Sequence, residues 1–289
     1  MSSPLEERFA TINGGRMRYL IGGQGKPLVL CHGFVSSGEE FGGRFAALTS
    51  QRTIIAPDLP GNGQSAPLRG RRHTSDAMAD GVQELLTHLG VGEFDLGGLC
   101  LGAPVACAIA RGNEKAVGRL ILHTPLISPN MLRRSVRWQI RTYTSPPLWS
   151  AIYWLSRRRV VSDLWKRLAV EGDDVDRATK DINFRNQQRA HPDAAREWLR
   201  DALDRSDVGV LARRTLPTLI IVPQEDRLVD VARLREVAAG LRNVDLFVDK
   251  NGGHGWGPEA VARHLTVIQR ALAEEDETPA TSGGCEVPV

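Results

Sequence analysis

A cysteine between two glycines is the residue of this chain best suited to nucleophilic chemistry. Gly98-Leu99-Cys100-Leu101-Gly102 has the form G-x-C-x-G and lies where an apolar run gives way to an Ala-rich helical pattern. Glycines two residues to either side permit a sharp strand-to-helix turn, which leaves the central side chain exposed in a strained conformation. A helix N-terminus favours the thiolate, the nucleophilic form of cysteine. The pattern therefore predicts Cys100 as the nucleophile of an acyl-chemistry enzyme.

A nucleophile of this kind needs a base, and the base needs an acid to orient it. His254 lies in a glycine-rich turn directly after the last apolar run, where its imidazole can act as the base. Asp226 follows another apolar run and can accept a hydrogen bond from one imidazole nitrogen. Glu225 is the neighbouring contender for the acid, and Asp230 is a weaker one. The expected catalytic triad is Cys100, His254 and Asp226.

Acyl chemistry also needs two backbone N–H groups directed at the developing oxyanion. Leu101, the residue after the nucleophile, is expected to supply one. Phe34 is expected to supply the other, because His32-Gly33-Phe34 ends an early apolar run. His32 itself is interpreted as a structural residue that does not carry a proton.

The remaining cysteines and histidines receive no catalytic role. Cys31 and Cys107 are interpreted as small buried hydrophobic residues, and Cys285 lies near the C-terminus. The scattered cysteines form no metal-ligand spacing, so neither a metal nor another cofactor is expected. Four histidines are interpreted as surface residues: His73, His88, His191 and His264.

The composition is that of an ordinary globular protein. The chain has 289 residues, of which 42% are hydrophobic and 25% charged, and its formal net charge is only +3. That charge favours no nucleic-acid partner. The first ten residues are polar and do not resemble a secretory signal, and no apolar run approaches the roughly 18 residues of a membrane span. We therefore expect a reduced, cytoplasmic compartment and no membrane span.

Short apolar runs alternate with amphipathic helical patterns, which is typical of a parallel sheet covered on both faces. Residues 7–23 predict a hairpin around Asn13-Gly14-Gly15. A helix is expected over about 75–89 and another over about 258–273.

The segment 125–207 departs from this alternation. It lacks strand-like runs and predicts several helices, with breaks at Ser145-Pro146-Pro147, Glu171-Gly172-Asp173 and His191-Pro192. The expected organisation is a core of 1–124 and 208–273, a helical cap of 125–207 inserted into it, and a disordered tail of 274–289.

The predicted cap is strongly basic and aromatic. Its basic residues outnumber the one acid, Asp163, between Met131 and Leu168: Arg133, Arg134, Arg137, Arg141, Arg157, Arg158, Arg159, Lys166 and Arg167. The aromatic residues of the same stretch are Trp138, Tyr143, Trp149, Tyr153, Trp154 and Trp165. One interpretation is an anionic partner, such as an acidic acyl carrier protein, the phosphates of a CoA thioester or an acidic lipid surface. The other is a solvated helix face whose aromatic rings pack onto the core.

Together these motifs resemble the α/β-hydrolase superfamily over about residues 8–273. The matching positions are His32-Gly33, Asp58-x-x-Gly61-x-Gly63-x-Ser65, the turn at Cys100, Asp226 and Gly253-His254, and the order nucleophile, acid, base is the one expected for that family. The resemblance implies an α/β fold with an eight-stranded, mostly parallel sheet, helices on both faces and a cap after the sixth strand. It also implies the Cys100, His254, Asp226 triad.

The chain departs from most of these relatives by having cysteine where they have serine. Dienelactone hydrolases and polyhydroxyalkanoate synthases are relatives with cysteine, but this chain lacks the extended cores of the synthases and has a cap that the dienelactone enzymes lack. The substrate and the acyl acceptor therefore stay open.

The leading hypothesis is a hydrolase of esters, thioesters or lactones, or an acyltransferase, that works through a thioester acyl-enzyme on a small or carrier-bound substrate. One alternative is a lyase that uses His254 as the base of an elimination in the same pocket. Another is a non-catalytic, ligand-binding receptor on the same fold. A further alternative is that Cys100 is a laboratory replacement for a native serine.

Overall fold

The computed structural model describes residues 5–42, 44–170, 175–213 and 216–276. The strands are β1 (Glu6–Ile12), β2 (Gly15–Gly22), β3 (Pro27–Cys31), β4 (Thr53–Pro57), β5 (Phe94–Leu99), β6 (Val117–His123), β7 (Thr218–Pro223) and β8 (Val244–Asp249). The helices are α1 (Glu39–Gly42), α2 (Ser75–His88), α3 (Gly102–Gly112), α4 (Arg134–Tyr143), α5 (Pro146–Ser156), α6 (Arg159–Ala169), α7 (Arg177–Arg189), α8 (Pro192–Asp204), α9 (Val208–Arg213), α10 (Val231–Ala239) and α11 (Pro258–Asp276). Two short 3₁₀ turns cover Ala46–Leu48 and Pro129–Met131.

The strands form one eight-stranded sheet in the order β1-β2-β4-β3-β5-β6-β7-β8. The pairs β1–β2 and β2–β4 are antiparallel, and every pair from β4 to β8 is parallel. The predicted hairpin is confirmed: Asn13 and Gly14 both have positive φ, 50° and 68°, as a two-residue turn with the twist of the flanking strands requires. The predicted fold class is therefore confirmed.

The centre of the sheet is covered on both faces. Every residue of β5 and of β7 is buried, so neither strand has a solvent side. Apart from Asp95, their sequences are accordingly runs of apolar and small residues without alternation, as expected for strands between two helical layers. Helix α2 occupies 75–88, close to the predicted range, and the side chain of Thr74 accepts a hydrogen bond from the N–H of Ala77 at its start.

The chain between β6 and β7 is helical throughout its described part, from α4 to α9. Two of the predicted breaks are confirmed, because α5 begins at Pro146 and α8 at Pro192, and proline is well tolerated only in the first turn of a helix. The third predicted break, at 171–173, lies outside the described residues. In the ranges that the structure describes, no helix is both long enough and apolar enough to cross a bilayer.

The last helix corrects the expected start of the tail. It extends to Asp276, three residues beyond the predicted end at 273. Glutamate is a good helix former, and no proline or glycine follows before Pro279, so nothing in the sequence ends the helix earlier. The rest of the predicted tail, 277–289, lies outside the described residues.

Candidate active site

Cys100 occupies the turn between β5 and α3. Its φ of +53° is in the left-handed region, which a residue with a side chain seldom adopts. The neighbouring glycines make this turn possible: a Cβ on Gly102 would lie 2.2 Å from the carbonyl oxygen of Cys31, and one on Gly98 would lie 2.6 Å from the Cα of Ala103. The N–H of Cys100 donates a 2.9 Å hydrogen bond to the carbonyl of His123, which ties the turn to the end of β6.

The imidazole of His254 is held by Asp226. Its Nδ1 lies 2.8 Å from Oδ2 of Asp226, and both side chains are buried. The other carboxylate oxygen, Oδ1, accepts 2.8 Å hydrogen bonds from the N–H groups of Leu228 and Val229. Because a carboxylate is an acceptor, Nδ1 of the imidazole is the donor and Nε2 is the nitrogen that faces away.

The two other acidic candidates do not contact His254. Glu225 is exposed, and Asp230 uses its carboxylate to accept a hydrogen bond from the N–H of Arg233 at the start of α10. Asp226 is thus the acid that the structure brings to the imidazole.

The buried pair shifts both pKa values in the directions of an ion pair. Burial acts to lower the pKa of His254, but the charges of Asp226 and then of Cys100 outweigh it and raise this pKa well above its ordinary value. Burial acts to raise the pKa of Asp226, but the imidazolium and the two backbone N–H donors outweigh it and lower this pKa. Both shifts favour the charged forms, an imidazolium beside a carboxylate.

The thiol of Cys100 and the imidazole of His254 line the same pocket. Nε2 of His254 is buried and makes no hydrogen bond of full geometric quality within the described ranges. The sulfur is nevertheless close enough for a charge on it to raise the pKa of His254. An unpartnered buried nitrogen beside a thiol is available for proton transfer.

Phe34 lies in the pocket wall, and Leu101 begins the helix beside Cys100. Neither N–H donates a hydrogen bond to another residue of the described part. The backbone of Gly33 passes so close to the elbow that a Cβ there would lie 3.2 Å from the Cβ of Cys100. His32 is fully buried, with Nδ1 against the carbonyl of Gly33 at 2.8 Å and Nε2 accepting from the N–H of Leu59 at 2.9 Å, so both its nitrogens serve the backbone.

The pocket has a volume of about 130 Å³, and its lining is mixed in character. Its apolar lining residues besides Cys100 and His254 are Phe34, Val35, Leu99, Trp165, Val170, Val175, Leu228 and Trp256. Its polar and charged lining residues are Ser36, Glu40, Arg44, Lys166, Thr179 and Asn183. Helices α6 and α7 thus contribute part of the wall.

A second buried histidine system, which the sequence analysis missed, supports the pocket from behind. Nε2 of His123 lies 3.0 Å from Nδ1 of His264, and Nε2 of His264 lies 3.0 Å from Oδ2 of Asp249. The ring of His123 stacks on Trp256, a pocket residue two positions after His254, with centroids 3.9 Å apart and planes within 8°. The one local signal is that His123 is the last residue of a largely buried strand, β6.

The other histidines and cysteines divide as follows. The expectation of a surface position is wrong for His264, which is 1% exposed, and for His73, whose Nδ1 lies 2.9 Å from a carboxylate oxygen of Glu197. Both have carboxylate partners elsewhere in the sequence.

Cys31 and Cys107 are buried, and burial raises the pKa of Cys31 to about 12, which leaves it inert. Cys285 lies outside the described residues.

Comparisons with known proteins identify relatives of this chain. A soluble epoxide hydrolase of Corynebacterium sp. (strain C12) is 41% identical over 123 residues, which are 42% of this chain and 42% of that protein. The matched part thus spans less than half of that relative. The pyrrolizixenacetamide deacetylase of Xenorhabdus hominickii is 26% identical over 273 residues, which are 92% of this chain and 97% of that protein.

Among solved structures, a thermophilic esterase from Thermogutta terrifontis superimposes with a TM-score of 0.75 at 23% identity and covers 93% of this chain and 99% of its own. At that identity the likeness shows a shared fold. The model of the alpha/beta hydrolase fold family matches residues 26–256, most of the chain and all of the candidate site. The chain therefore belongs to the α/β hydrolase fold family.

Proposed function

We propose that this protein is a hydrolase of small esters, thioesters or lactones that works through a thioester acyl-enzyme on Cys100. The observation that carries the proposal is the strained turn at Cys100, which presents the thiol to a pocket shared with His254, itself held by Asp226. The nearly full-length similarity to a protein named a deacetylase favours acyl chemistry over the opening of an epoxide, because the epoxide hydrolase match spans less than half of the chain.

In the acylation step the thiolate of Cys100 attacks the carbonyl carbon of the substrate. The electron pair of the C=O bond moves to oxygen, and the N–H groups of Phe34 and Leu101 stabilise the resulting oxyanion. When the oxyanion collapses, the bond to the leaving group breaks and Nε2 of His254 gives that group its proton. A thioester on Cys100 and a neutral His254 remain.

Deacylation reverses these roles. Nε2 of His254 takes a proton from a water molecule while the water oxygen attacks the thioester carbon. The second oxyanion collapses with cleavage of the C–S bond, which restores the thiolate and the imidazolium and releases the acid. Because a thioester also reacts with amines, thiols and carbanions, transfer to such an acceptor is the finer alternative to hydrolysis.

We propose further that the helical segment 125–207 acts as the cap of this site. Support comes from Trp165, Val170 and Thr179, which lie in the pocket wall. The binding of an acidic carrier protein or CoA to the basic residues of this segment stays a prediction, which is based on their charge. If an acidic carrier delivers the acyl group, the KM for the carrier-bound substrate should rise steeply with salt, whereas a KM independent of salt would exclude it.

The central test is intact mass spectrometry of the full chain mixed with p-nitrophenyl esters or acyl thioesters. We expect turnover together with an added acyl mass located on Cys100. Cys100→Ala should lose both, and Cys100→Ser tests the same turn with an oxygen nucleophile. Cys107→Ala is the matched control, because it removes a buried cysteine away from the pocket and should keep both signals.

Other outcomes support the alternatives. Turnover that survives Cys100→Ala without any adduct would instead support elimination with His254 as base. Tight binding of these compounds without turnover by the folded wild type would support a receptor.

A further inference from the structure

Helix α6 presents its apolar side to solvent. Val160, Leu164 and Leu168 follow one another at four-residue spacing and are 79%, 49% and 62% exposed. Ser162 and Lys166, on the other side of the helix, are 1% and 8% exposed. An ordinary surface helix has the opposite arrangement, with its apolar stripe against the core. The outward side of α6 is thus an apolar face of which about half or more stays exposed.

Helix α5 continues this surface. Leu148, Trp154 and Leu155 are 43%, 59% and 46% exposed, and α5 packs against α6. Leu148 and Leu155 lie on one stripe of the helix, and Trp154 lies about 100° around the helix axis from Leu155. We call the six side chains of α5 and α6 the apolar face: Leu148, Trp154, Leu155, Val160, Leu164 and Leu168. Large exposed apolar side chains gathered on adjacent elements mark a binding surface more often than chance would give.

The apolar face lies among cations. Residues 131–170 contain nine Arg and Lys residues and one acid, Asp163. Asp163 is already paired with Arg159 at 2.6 Å. Among the described residues, neither Arg157, Arg158 nor Arg167 has a carboxylate partner, and the guanidinium of Arg158 lies 4.4 Å from the ring centre of Trp154.

The positive charge around the apolar face distinguishes between the partners that could bind there. A second copy of the chain, docked by the same face, would bring the two sets of arginines together without carboxylates to neutralise them. An acidic carrier protein would satisfy the arginines but leaves the aliphatic stripe of α6 unexplained. An anionic bilayer offers phosphates to the guanidinium groups and an acyl boundary to Trp154 and the aliphatic side chains at the same time.

We propose that α5 and α6 form a surface that docks onto anionic lipid bilayers. Trp165 connects this surface with the pocket, because it lies on α6, is 47% exposed and also lines the pocket that contains Cys100. A docked molecule therefore has its pocket wall at the lipid interface. The docking depends on the apolar face and its arginines and does not require catalysis by Cys100.

The test is sedimentation of the full chain with vesicles of phosphatidylcholine or of an equimolar mixture with phosphatidylglycerol. We expect the protein to partition onto the anionic vesicles at least about tenfold more strongly than onto the neutral ones, and salt to weaken the binding. A blue shift of tryptophan fluorescence should accompany it. The Cys100→Ala variant should bind as the wild type does.

Two sets of variants separate the apolar and the charge contributions. The triple variant Val160→Ser, Leu164→Ser, Leu168→Ser should lower partitioning by about tenfold or more while the melting temperature is kept, because the replaced side chains are exposed. Phe9→Ser, at an exposed apolar residue far along the chain in β1, is its control and should change nothing.

For the charges, Arg157→Gln with Arg158→Gln should weaken binding to anionic vesicles by about fivefold for each guanidinium removed. Arg235→Gln with Arg242→Gln, on exposed residues outside α4–α6, should not.

Four outcomes would overturn the proposal. They are no partitioning of the folded wild type onto either vesicle, equal partitioning onto both, unchanged partitioning of the triple serine variant, and a lipid-independent dimer that the triple variant dissociates. Salt-sensitive binding to an acidic carrier protein, without any binding to vesicles, would reassign the arginines to that partner.

Discussion

Cys100 adopts a backbone conformation that its own side chain disfavours. A φ of +53° costs a residue with a Cβ of the order of 1–3 kcal/mol, so the surrounding structure must hold it. Two hydrogen bonds to its carbonyl, from Ala103 and Leu126, and one from its own N–H to His123 do so. Gly102 completes the restraint, because its backbone lies so close to the carbonyl of Cys31 that no side chain fits between them.

Gly102→Ala tests this restraint. The new methyl group would lie 2.2 Å and 2.5 Å from the carbonyl oxygens of Cys31, which ends β3, and of His32, which follows it. These are backbone atoms, which cannot move aside as the end of a flexible side chain could. We expect a loss of about 1–3 kcal/mol in the free energy of unfolding, measured by urea titration, and loss of esterase activity because the turn must shift. Gly92→Ala, where nothing lies within 4 Å, is the control and should be nearly neutral. Equal stability of the two variants would contradict the account.

Asp226→Asn tests the electrostatics of His254. The carboxylate is the main influence that raises the pKa of this imidazole against burial, so its removal lets the pKa fall. The imidazolium, needed to protonate the leaving group, exists below that pKa and is lost as the pH rises through it. We therefore expect the alkaline limb of the kcat/KM profile to move to lower pH and the rate at pH about 8 to fall about a hundredfold or more.

The control for this experiment is Glu225→Gln, which removes the exposed neighbouring carboxylate and should leave the profile unchanged. An alkaline limb that stays in place in Asp226→Asn would separate Asp226 from the proton transfer.

At the scale of elements, a buried chain of polar groups joins β6, β8 and α11 behind the pocket. His264 links His123 to Asp249, and His123 stacks on Trp256. Burial, and after it the charge of His264, lower the pKa of His123 well below its usual value, which favours the neutral ring. His123, His264 and Asp249 do not line the pocket, but Trp256, on which His123 stacks, does.

His264→Leu should therefore act on stability and on the placement of Trp256. It leaves a nitrogen of His123 and an oxygen of Asp249 buried without this partner, which costs about 2–4 kcal/mol in the free energy of unfolding. Urea unfolding with tryptophan fluorescence measures both effects. His88→Leu, at an exposed histidine of α2, is the control and should change stability by less than about 0.5 kcal/mol. A neutral result for His264→Leu would show that the contacts are dispensable.

Features at the scale of residues and features at the scale of elements differ in how far the sequence predicts them. The strands and the turn at Cys100 are predictable because each depends on a few consecutive residues, such as the buried run of β5 and the glycines that follow it. The chain from His123 to Asp249 and His264 is not, because its members are up to 141 residues apart and join only in the folded sheet. The amphipathic pattern of α6 predicts a helix, but nothing local says that Leu164 faces outwards.

At the scale of the whole molecule, the inserted helices divide into a part that belongs to the core and a part that does not. Trp198 of α8 is fully buried with its ring edge-on to His32, and Ala194 lies against the glycine turn at Gly61. By contrast, Trp149 is the only buried residue of α5, and α4 has none. Helix α8 therefore shares the stability of the sheet, whereas α4–α6 depend on fewer buried contacts.

Hydrogen exchange followed by mass spectrometry should resolve this division. Local opening needs less free energy where few apolar contacts are lost, so amides of α5 and α6 should exchange roughly tenfold or more faster than those of α8. If α5 and α6 admit substrate to the pocket beside Trp165, a slowly released acyl group on Cys100 should slow exchange in these helices and leave α8 unchanged. Uniform protection from α4 to α8 would mean instead that the inserted segment opens only with the whole fold.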